Sequence, residues 1–348
     1  EISAYDAGSK KLFVTNSETD MIDVIDLTDP TAMSLISSID YSDYGDGVNS
    51  VAVHDGLLVA AIEADNAQEN GRVAAFDMDG NPAWDVEVGA LPDMVAFTPD
   101  GAYVLTANEG EPNDEYTVDP EGSVSVIDVA DQSVMHADFN AFDSQEEALL
   151  AKGVRIFGPG ASVSQDLEPE YITVNASSDT AYVSLQENNA IAVVDIANAE
   201  VVEIHGLGYK DHSQPGNGID ASNKADFIDI RPWPLHGVYQ PDAIASYKVN
   251  GTTYLVTANE GDAREYEYEN EYGQEDLAYT DESEVGDENL NPDIFDNIDY
   301  LQDNDNLGKL GISTALADTS GNGQLDILYS YGARSFSIWN ATTGDQVY

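Results

Sequence analysis

Short apolar segments rich in β-branched and aromatic residues recur along the chain, with polar turns between them. Each copy contains a strand-like segment, an acidic turn and a second strand-like segment that ends in Asp. The aligned copies are residues 11–27, 57–77, 103–128 and 182–195. Residues 253–269 repeat the first half of this unit, and residues 328–340 form a looser, later copy. This spacing of apolar runs between turn residues predicts β-strands, because convincing long helical patterns are few.

A further strand-like segment precedes each unit. These leading segments are EISAYD (1–6), VNSVAVH (48–54), PDMVAFT (92–98), PEYITVN (169–175) and PDAIASY (241–247). Four short strands in roughly 40–50 residues are typical of a β-propeller blade. We therefore predict an all-β fold, a β-propeller of about six to seven blades with four antiparallel strands each. A β-sandwich would not repeat such a unit in register, and a β-helix has much shorter coils.

Three insertions interrupt the repeat, at 141–166, 209–238 and 262–310. Long loops on a rigid scaffold often carry function. The third insertion is strongly acidic, and its 265–290 part is also compatible with a disordered, solvated tract. Otherwise residues 1–348 are expected to form a single propeller domain. Both termini lie in or next to strand-like segments, so we expect the domain to be incomplete at both ends and part of a longer product.

The net charge of −54 is extreme, with 12 basic residues against 66 acidic ones. Nucleic acid and anionic membrane are excluded as partners, because they require a basic surface. No apolar run is long enough for direct membrane insertion, and the absence of cysteine excludes disulfides and thiolate metal sites. Self-repulsion on this scale favours multivalent cations, a salty medium or a cationic partner. Solubility or salt adaptation alone is the competing explanation.

The repeat places acidic residues at two fixed positions. One position ends the second strand of each unit, at Glu18, Glu63, Glu109, Glu187 and Glu260, and the other lies in the leading strand, at Glu1, Asp93, Glu170 and Asp242, with Asn49 in the second unit. A hairpin brings the two positions together, and a propeller would arrange them as a ring of carboxylates at one channel rim. Like charges this close raise each other's pKa or bind cations, and Ca²⁺ prefers oxygen ligands.

This arrangement predicts one or several Ca²⁺ ions, or another divalent metal, at the rim. The candidate metal ligands are Glu109, Glu111, Asp114, Glu168, Glu170, Asp242, Glu260 and Asp262, and Asp93 and Glu187 are further candidates for ligand binding. The alternative is that these acids cap strands or pair with basic residues. The 12 basic residues are too few to pair with most of them.

The stretch DTSGNGQLD (318–326) matches the start of an EF-hand-type calcium loop. Asp318, Ser320, Asn322 and Asp326 would supply side-chain oxygens, and Gln324 would supply its backbone carbonyl. The twelfth position is Tyr329, so the usual bidentate Glu is missing. An ordinary Gly-rich hairpin turn is the alternative.

No catalytic residue is assigned. None of the five histidines belongs to a recognised metal motif. His212, next to Asp211 in a turn-rich insertion, is the best polar candidate for ligand binding, although a loop histidine more often serves as a hydrogen-bonding residue. Carboxylates with Arg264 or Arg334 nearby could hold metals and bind a phosphoester. A metal-dependent phosphoesterase, of the alkaline phosphatase or nucleotidase kind, therefore stays open as an alternative function.

Several stretches together resemble the choice-of-anchor I family of secreted bacterial propellers, which is related to the LVIVD-repeat and mesenchyme-specific cell-surface glycoprotein groups. They are YVLTANEGEPNDEY (103–116), LEPEYITV (167–174), YKDHSQPGNGIDAS (209–222), VYQPDAIASY (238–247), YLVTANEGDAREY (254–266) and SYGARSFSIWNATTG (330–344). The resemblance implies export, about seven blades, attachment to the cell surface, and a chain that continues past Tyr348. Some relatives are joined to phosphatases, but the resemblance supplies no catalytic residue.

The sequence thus predicts an extracellular or cell-surface, calcium-binding β-propeller that serves as a binding or structural module. The expected partners are divalent cations, and a surface polymer, a protein or further copies of the chain are open alternatives. A surface-layer or filament subunit is the corresponding structural function.

Overall fold

The computed structural model describes residues 2–17, 19–225, 227–270 and 272–348. Four consecutive sheets of four antiparallel strands occupy the chain up to Gly206. Blade 1 contains β1 (Ser3–Asp6), β2 (Lys11–Asn16), β3 (Met21–Asp26) and β4 (Ser34–Asp40). Blade 2 contains β5 (Val48–His54), β6 (Leu57–Ile62), β7 (Asn70–Asp77) and β8 (Pro82–Ala90). Blade 3 contains β9 (Pro92–Phe97), β10 (Tyr103–Asn108), β11 (Ser123–Asp128) and β12 (Val134–Asp138). Blade 4 contains β13 (Ile172–Val174), β14 (Thr180–Leu185), β15 (Ala190–Asp195) and β16 (Glu200–Gly206).

The rest of the chain supplies a fifth blade and a large insertion. Its strands are β17 (Tyr209–Asp211), β18 (His236–Val238), β19 (Pro241–Val249), β20 (Thr252–Asn259), β21 (Glu265–Glu269), β22 (Glu275–Thr280), β23 (Glu282–Glu284), β24 (Gly311–Ser313), β25 (Tyr329–Ser330) and β26 (Ser335–Asn340). Blade 5 is the sheet β19-β20-β26. The terminal residues 346–348 run along the outer edge of β26, where the amide of Ile338 donates to the carbonyl of Tyr348.

The five blades are arranged in chain order around a common axis. Their first strands are neighbours in the sequence β1, β5, β9, β13 and β19. The all-β propeller class predicted from the repeat is therefore confirmed. The described residues form five such sheets, whereas the pattern predicted about six to seven. The difference arises partly because residues 328–340, interpreted as a loose further copy, supply β25 and the third strand of blade 5.

Apolar residues fill the spaces between adjacent blades rather than one central core. Phe13 and Leu58 belong to a buried cluster between blades 1 and 2. Val59 and Val104 belong to the next cluster, between blades 2 and 3. Burial at these positions follows from the alternation of side chains along each strand, because a blade with a neighbour on each side is covered on both faces.

Short helices lie in the insertions. Residues 141–166 contain α1 (Glu146–Ala151) and α2 (Val163–Asp166), preceded by a 3₁₀ turn at Asn140–Gln145. Ser162 caps α2 through a capping box with Gln165. This insertion packs on the cluster between blades 3 and 4.

Residues 209–238 and 260–334 associate into one unit, called here the insertion unit. It contains the sheet β17-β18-β25-β24-β23, the hairpin β21-β22, α3 (Ile298–Leu301) and a 3₁₀ turn at Val285–Asp287. It has a core of its own, which includes Trp233, Leu307 and Leu328. The third insertion, predicted as 262–310, thus extends to β26. Its acidic 265–290 part, considered above as a solvated tract, contains the strands β21, β22 and β23 within the described residues.

Candidate functional site

The end of β10 is fixed by a buried asparagine. Thr106 donates its hydroxyl to Asn108 Oδ1 at 2.8 Å. The Asn108 amide donates to Ser123 Oγ at 3.1 Å and to Ser125 Oγ at 2.8 Å on the neighbouring strand β11. The side-chain oxygen of Asn108 is thus bonded within β10, and its amide nitrogen is bonded to the next strand. The residue after it, Glu109, is therefore held at the end of the blade next to the channel.

The same network occurs in blade 5. Thr257 donates to Asn259 Oδ1 at 2.8 Å, and Asn259 donates to Ser335 Oγ at 3.1 Å and Ser337 Oγ at 2.8 Å. The two Thr-Ala-Asn-Glu-Gly segments thus form the same hydrogen-bond network at the end of a strand in blades 3 and 5. In both copies the asparagine is structural and the glutamate is free for other interactions.

The glycine of each copy is required by close backbone contacts. Gly110 and Gly261 both have positive φ angles, +72° and +91°. A Cβ on Gly110 would lie 2.8 Å from the carbonyl oxygen of Glu121, and one on Gly261 would lie 1.9 Å from the amide nitrogen of Gly332. The left-handed conformation and the contacts exclude a larger residue. The chain turns sharply at this point, which leaves the preceding glutamate at the strand end.

Six carboxyl groups gather where the blades meet the channel, and we call them the rim cluster. They are Asp93, Glu109, Glu111, Glu168, Glu170 and Glu187. Burial raises the pKa of each of them, and neighbouring carboxylates raise it further, although Arg264 opposes the rise for Glu111, Glu168 and Glu187. This is the behaviour expected of like charges in a desolvated site. The cluster is stable only if protons or cations offset its charge.

Glu187 combines burial with an incomplete set of hydrogen bonds, and the nearby charge of Arg264 opposes the effect of burial on its pKa. Its side chain is buried, with 8% of the residue exposed. Its Oε2 has no hydrogen-bond partner among the described residues. Glu170 lies within hydrogen-bonding reach of Glu187, and after burial it is the charge of Glu187 that raises the pKa of Glu170 most. Two carboxyl groups in contact must share a proton or a cation.

Arg264 brings a positive charge from the insertion unit to the rim cluster. Its guanidinium donates to Asp166 Oδ1 at 2.6 Å, to the carbonyl of Asp166 at 2.8 Å and to Glu168 Oε2 at 2.7 Å. It also lies over the ring of Phe157, 4.7 Å from the ring centroid. Asp166 additionally accepts from the amides of Phe157 and Gly158. Because Arg264 is committed to Asp166 and Glu168, its donors do not reach Glu109, Glu170 or Asp93.

The hairpin β21-β22 closes one side of the cluster. Tyr266 on β21 hydrogen-bonds to Glu111, which partly opposes the effect of burial on the pKa of that carboxyl group. Tyr116 makes edge-to-face contacts with Tyr266 and Tyr279, at centroid distances of 5.1 and 5.6 Å. These rings exclude water from the cluster, and low water access strengthens every electrostatic interaction inside it.

Asp93 links the rim cluster to the channel. A cavity of about 480 Å³ is lined by the first strands of the blades, and Asp93, Asp242 and Asn49 contribute polar groups to it. Burial, with Asp242 and Glu187 as the nearest charges, raises the pKa of Asp93 to about 6. The channel therefore offers a negatively charged route to the cluster.

The structure separates the predicted metal residues into three groups, which are the rim cluster, an exposed set beside it and the 318–326 loop. Asp93, Glu109, Glu111, Glu168, Glu170 and Glu187 come together at the rim, with half-buried Asp242 beside Asp93. Asp114, Glu260 and Asp262 are exposed at the edge of this region. Glu260 thus differs from its sequence counterpart Glu109, because the insertion unit begins directly after it. Glu1 and Glu18 lie outside the described residues.

The predicted calcium loop lies in the insertion unit. Asp318 accepts hydrogen bonds from the amides of Gly321, Asn322 and Gly323 at 2.8, 3.2 and 2.8 Å, and from Ser320 Oγ at 3.3 Å. These bonds lower its pKa, the Gly323 amide most. Asn322 Oδ1 accepts from the amide of Gln324. The loop is therefore closed by its own donors, and a cation at Asp318 would compete with them.

Asp326 is also satisfied within the protein. It accepts from Asn291 Nδ2 at 2.7 Å, and from Thr319 Oγ1 and the Ser320 amide at 2.8 Å. The Asn291 bond, followed by that of Thr319, lowers its pKa to about 2. Tyr329, at the twelfth loop position, is buried in the core of the insertion unit. The assignment of this loop as a calcium site stays a prediction.

The remaining candidates do not join the rim cluster. His212 is 1% exposed, and its Nδ1 lies 2.6 Å from the carbonyl oxygen of Asn217. Burial lowers its pKa, and Lys210 and Arg334 lower it further. Asp211 accepts from Ser213 and Gln214, in that order the main causes of its pKa of about 2. His212 is thus a structural residue of the insertion unit, and Arg334 is exposed beside it.

Sequence reasoning did not identify Asp166, Tyr266 or Tyr116 as part of the site. Asp166 lies two residues before the predicted Glu168 in the acidic run QDLEPE, which was the available signal. Within the described ranges, no three acidic or histidine side chains converge in a preformed metal geometry. The role of the rim residues as metal ligands also stays a prediction.

The sequence model of the choice-of-anchor I domain matches residues 1–348. The chain belongs to the choice-of-anchor I family. This confirms the resemblance seen in the ANEG and GARSFSIW segments, and the family associates the protein with proteins held at a surface. No helix of the described choice-of-anchor I chain is long and apolar enough to cross a membrane.

Several solved structures are similar to this choice-of-anchor I chain at low sequence identity. The β-propeller domain of Cps50 (Swd1) from Myceliophteria thermophila is 10% identical, with a TM-score of 0.45 and coverage of 100% of this chain and 85% of that one. A functionally unknown protein from Desulfotomaculum acetoxidans is also 10% identical, with a TM-score of 0.45 and coverages of 99% and 83%. U3-55K is 10% identical, with a TM-score of 0.43, and the match covers 80% of this chain and 65% of U3-55K. No curated protein matches the chain.

Proposed function

We propose that this choice-of-anchor I chain is a calcium-binding propeller module of a cell-surface protein, and that Ca²⁺ binds at the rim cluster. The observation that carries this proposal is Oε2 of Glu187, a carboxylate oxygen that is buried among acids and has no partner among the described residues. An unpaired buried carboxylate costs several kcal/mol of folding free energy in general terms, of order 3–5. A bound divalent cation removes that cost.

The donor set suits a hard cation. Glu109, Glu170, Glu187 and Asp93 offer carboxylate oxygens without a thiolate or imidazole among them, and Ca²⁺ takes about six to eight oxygen ligands at ~2.3–2.6 Å. Glutamate side chains have three rotatable bonds, so the carboxylates can turn towards an ion that enters through the channel. Because the partners of Arg264 are Asp166 and Glu168, the other carboxylates stay available. The 318–326 loop is a second proposed site, of lower affinity because its own donors must be displaced.

The phosphoesterase alternative gains no support from the geometry. Arg264 is buried and bonded to carboxylates, and Arg334 lies beside His212 in the insertion unit. Both Nη groups of Arg264 are bonded to Asp166 and Glu168, and its Nε, which has no partner among the described residues, is buried beside them rather than presented to a phosphoester. A cation-binding module requires no such donor.

The decisive experiment compares Glu187→Gln with Glu203→Gln, a control on the exposed outer strand β16. Differential scanning calorimetry in EDTA and in millimolar Ca²⁺ should show a rise in Tm with Ca²⁺ for the wild type and the control. Glu187→Gln should be at least as stable as the wild type in EDTA, because it removes a buried charge, and should lose most of the Ca²⁺-dependent rise. Calorimetric titration should show at least a tenfold loss of affinity.

Equal Ca²⁺ responses in the wild type and both variants would remove the rim cluster as the site. Complete absence of a Ca²⁺ response in the wild type would overturn the proposed function. The surface location is tested separately, by protease treatment of intact cells that make the full-length protein. If residues 1–348 are protected from the protease in intact cells, the surface location is contradicted.

A further inference from the structure

Asp166 and Glu168 already hold a cation in the structure, and that cation is the guanidinium of Arg264. Its Nη1 donates to Asp166 Oδ1 at 2.6 Å, and its Nη2 donates to the carbonyl oxygen of Asp166 at 2.8 Å and to Glu168 Oε2 at 2.7 Å. All three residues are buried, with at most 2% of each exposed. Three oxygen atoms thus converge on one positive charge in the protein interior.

These three oxygens are of the kind that binds a hard metal ion. Two belong to carboxylates and one to a backbone carbonyl, and Ca²⁺ is bound by such oxygens. Asp166 is held in place independently of Arg264, because two backbone amides and the side-chain amide of Asn188 also donate to its carboxylate. Among the described residues, Arg264 is the one hydrogen-bond donor to the Glu168 carboxylate. Removal of the arginine would therefore leave a set of oxygen ligands with uncompensated buried charge.

We propose that Arg264 is a built-in cation that fills a second metal position of the rim cluster and so limits the number of divalent ions that the cluster binds. This inference deepens the proposed function and rests on it for the identity of the ion as Ca²⁺. The arginine belongs to the insertion unit, 98 residues along the chain from Asp166, whereas Glu109, Glu170 and Glu187 lie at the ends of the blades. The insertion unit therefore determines how much negative charge the rim cluster retains for a metal.

The charge of Arg264 also acts on the neighbouring carboxylates. It opposes the rise in the pKa of Glu187 and Glu111 that burial causes, so it lies close enough to repel a second ion beside Glu187. Repulsion between like charges is strong in a buried site. Many phosphoesterases hold two metal ions about 3.5–4 Å apart. The guanidinium prevents such an ion pair at Asp166 and favours a single divalent ion at Glu187.

Arg155 provides a matched comparison. It is also buried, with 1% exposed, and it also lies over the ring of Phe157, at 4.9 Å from the ring centroid compared with 4.7 Å for Arg264. Among the described residues it pairs with one carboxylate, that of Asp281 at 3.8 Å, and it donates to Ser313 Oγ. Loss of Arg155 would remove a buried positive charge without vacating a pair of carboxylate ligands.

The test compares Arg264→Gln with Arg155→Gln by calorimetric titration with CaCl₂ and by scanning calorimetry in EDTA and in millimolar Ca²⁺. Both variants should have a lower Tm than the wild type in EDTA, because each leaves buried carboxylate charge without its arginine. Arg264→Gln should bind one Ca²⁺ more per chain than the wild type, and Ca²⁺ should restore most of its lost Tm. Arg155→Gln should keep the wild-type number of Ca²⁺ ions and stay less stable than the wild type in Ca²⁺. An unchanged number of ions in Arg264→Gln would overturn the inference.

Two further variants decide the question if Arg264→Gln does not fold in EDTA. Arg264→Lys keeps a positive charge and should bind the wild-type number of Ca²⁺ ions. The double variant Arg264→Gln with Glu168→Gln lacks the uncompensated glutamate, so it should fold in EDTA and should not bind the additional ion. An additional ion in either of these variants would contradict the inference.

The outcomes separate this inference from the proposed function. A wild type without a Ca²⁺ response contradicts the proposed function, as stated above. A gain of one ion in Arg264→Gln supports the role of Arg264 as a built-in cation whether or not the wild type binds Ca²⁺. A wild type that binds Ca²⁺ together with an Arg264→Gln variant that gains no ion would overturn the inference alone.

Discussion

Asn108 connects two strands and also determines where the next residue lies. Its amide and carbonyl groups are all used within blade 3, and the peptide that follows carries Glu109 to the channel. Asn259 makes the equivalent hydrogen bonds in blade 5, and Glu260 follows it. A single buried amide therefore couples the stability of a blade to the position of a candidate ligand.

We expect Asn108→Ala to lower the free energy of unfolding by about 2–4 kcal/mol, because the buried hydroxyls of Thr106 and Ser125 and the half-buried hydroxyl of Ser123 lose this partner. Urea denaturation followed by tryptophan fluorescence would measure this loss. Asn198→Ala, which changes an exposed asparagine that bonds only to Asp195, is the control and should cost about 0.5 kcal/mol or less. Similar losses in both variants would refute the structural importance assigned to Asn108.

At the scale of elements, the 318–326 loop is held by one carboxylate. Asp318 gathers three backbone amides, and these bonds lower its pKa below the ordinary value. A group with a depressed pKa contributes stability that is present above its unfolded pKa and is lost as the pH falls through its folded pKa.

Asp318→Asn should therefore lower the Tm at pH 7 in EDTA, because the charge-assisted bonds are weakened. The difference in Tm from the wild type should shrink as the pH falls below about 4, where the wild-type carboxyl group also becomes neutral. Scanning calorimetry between pH 7 and pH 3 would measure the trend. A difference in Tm that grows on acidification would contradict the structure of the loop.

The elements also show how far the sequence could predict the site. Glu109 and Glu187 were predicted at the channel rim because the strand repeat puts equivalent residues at equivalent places. The ion pair of Arg264 was not predicted, because its partner Asp166 is 98 residues away along the chain. No local pattern shows such a pairing. The insertion unit was underestimated for the same reason, since its core joins two segments that are separated by β19 and β20.

At the scale of the whole molecule, the net charge determines how the stability depends on salt. A net charge of −54 on 348 residues destabilises the compact state through repulsion between surface carboxylates. The Tm in EDTA should rise steadily as NaCl is increased from about 0.1 M to 2 M, because the Debye length falls from about 10 Å to below 3 Å. Thermal denaturation would measure this change of Tm with NaCl concentration. CaCl₂ at the same ionic strength should raise the Tm further if the rim cluster binds Ca²⁺ specifically, and a Tm that falls with NaCl would contradict the role of repulsion.

The position of the insertion unit within blade 5 has a consequence for folding. β20 pairs with β26, and Asn259 lies opposite Ser335. Residues 260–334 are therefore the chain segment that connects these two paired strands. Pairing of such distant segments carries a large loop-closure entropy and is slow. Blades 1 to 4 can form from contiguous strands as they leave the ribosome. Blade 5 must wait until its last strand has been synthesised and the insertion unit has brought the two ends together, so the insertion unit sets the time at which blade 5 forms.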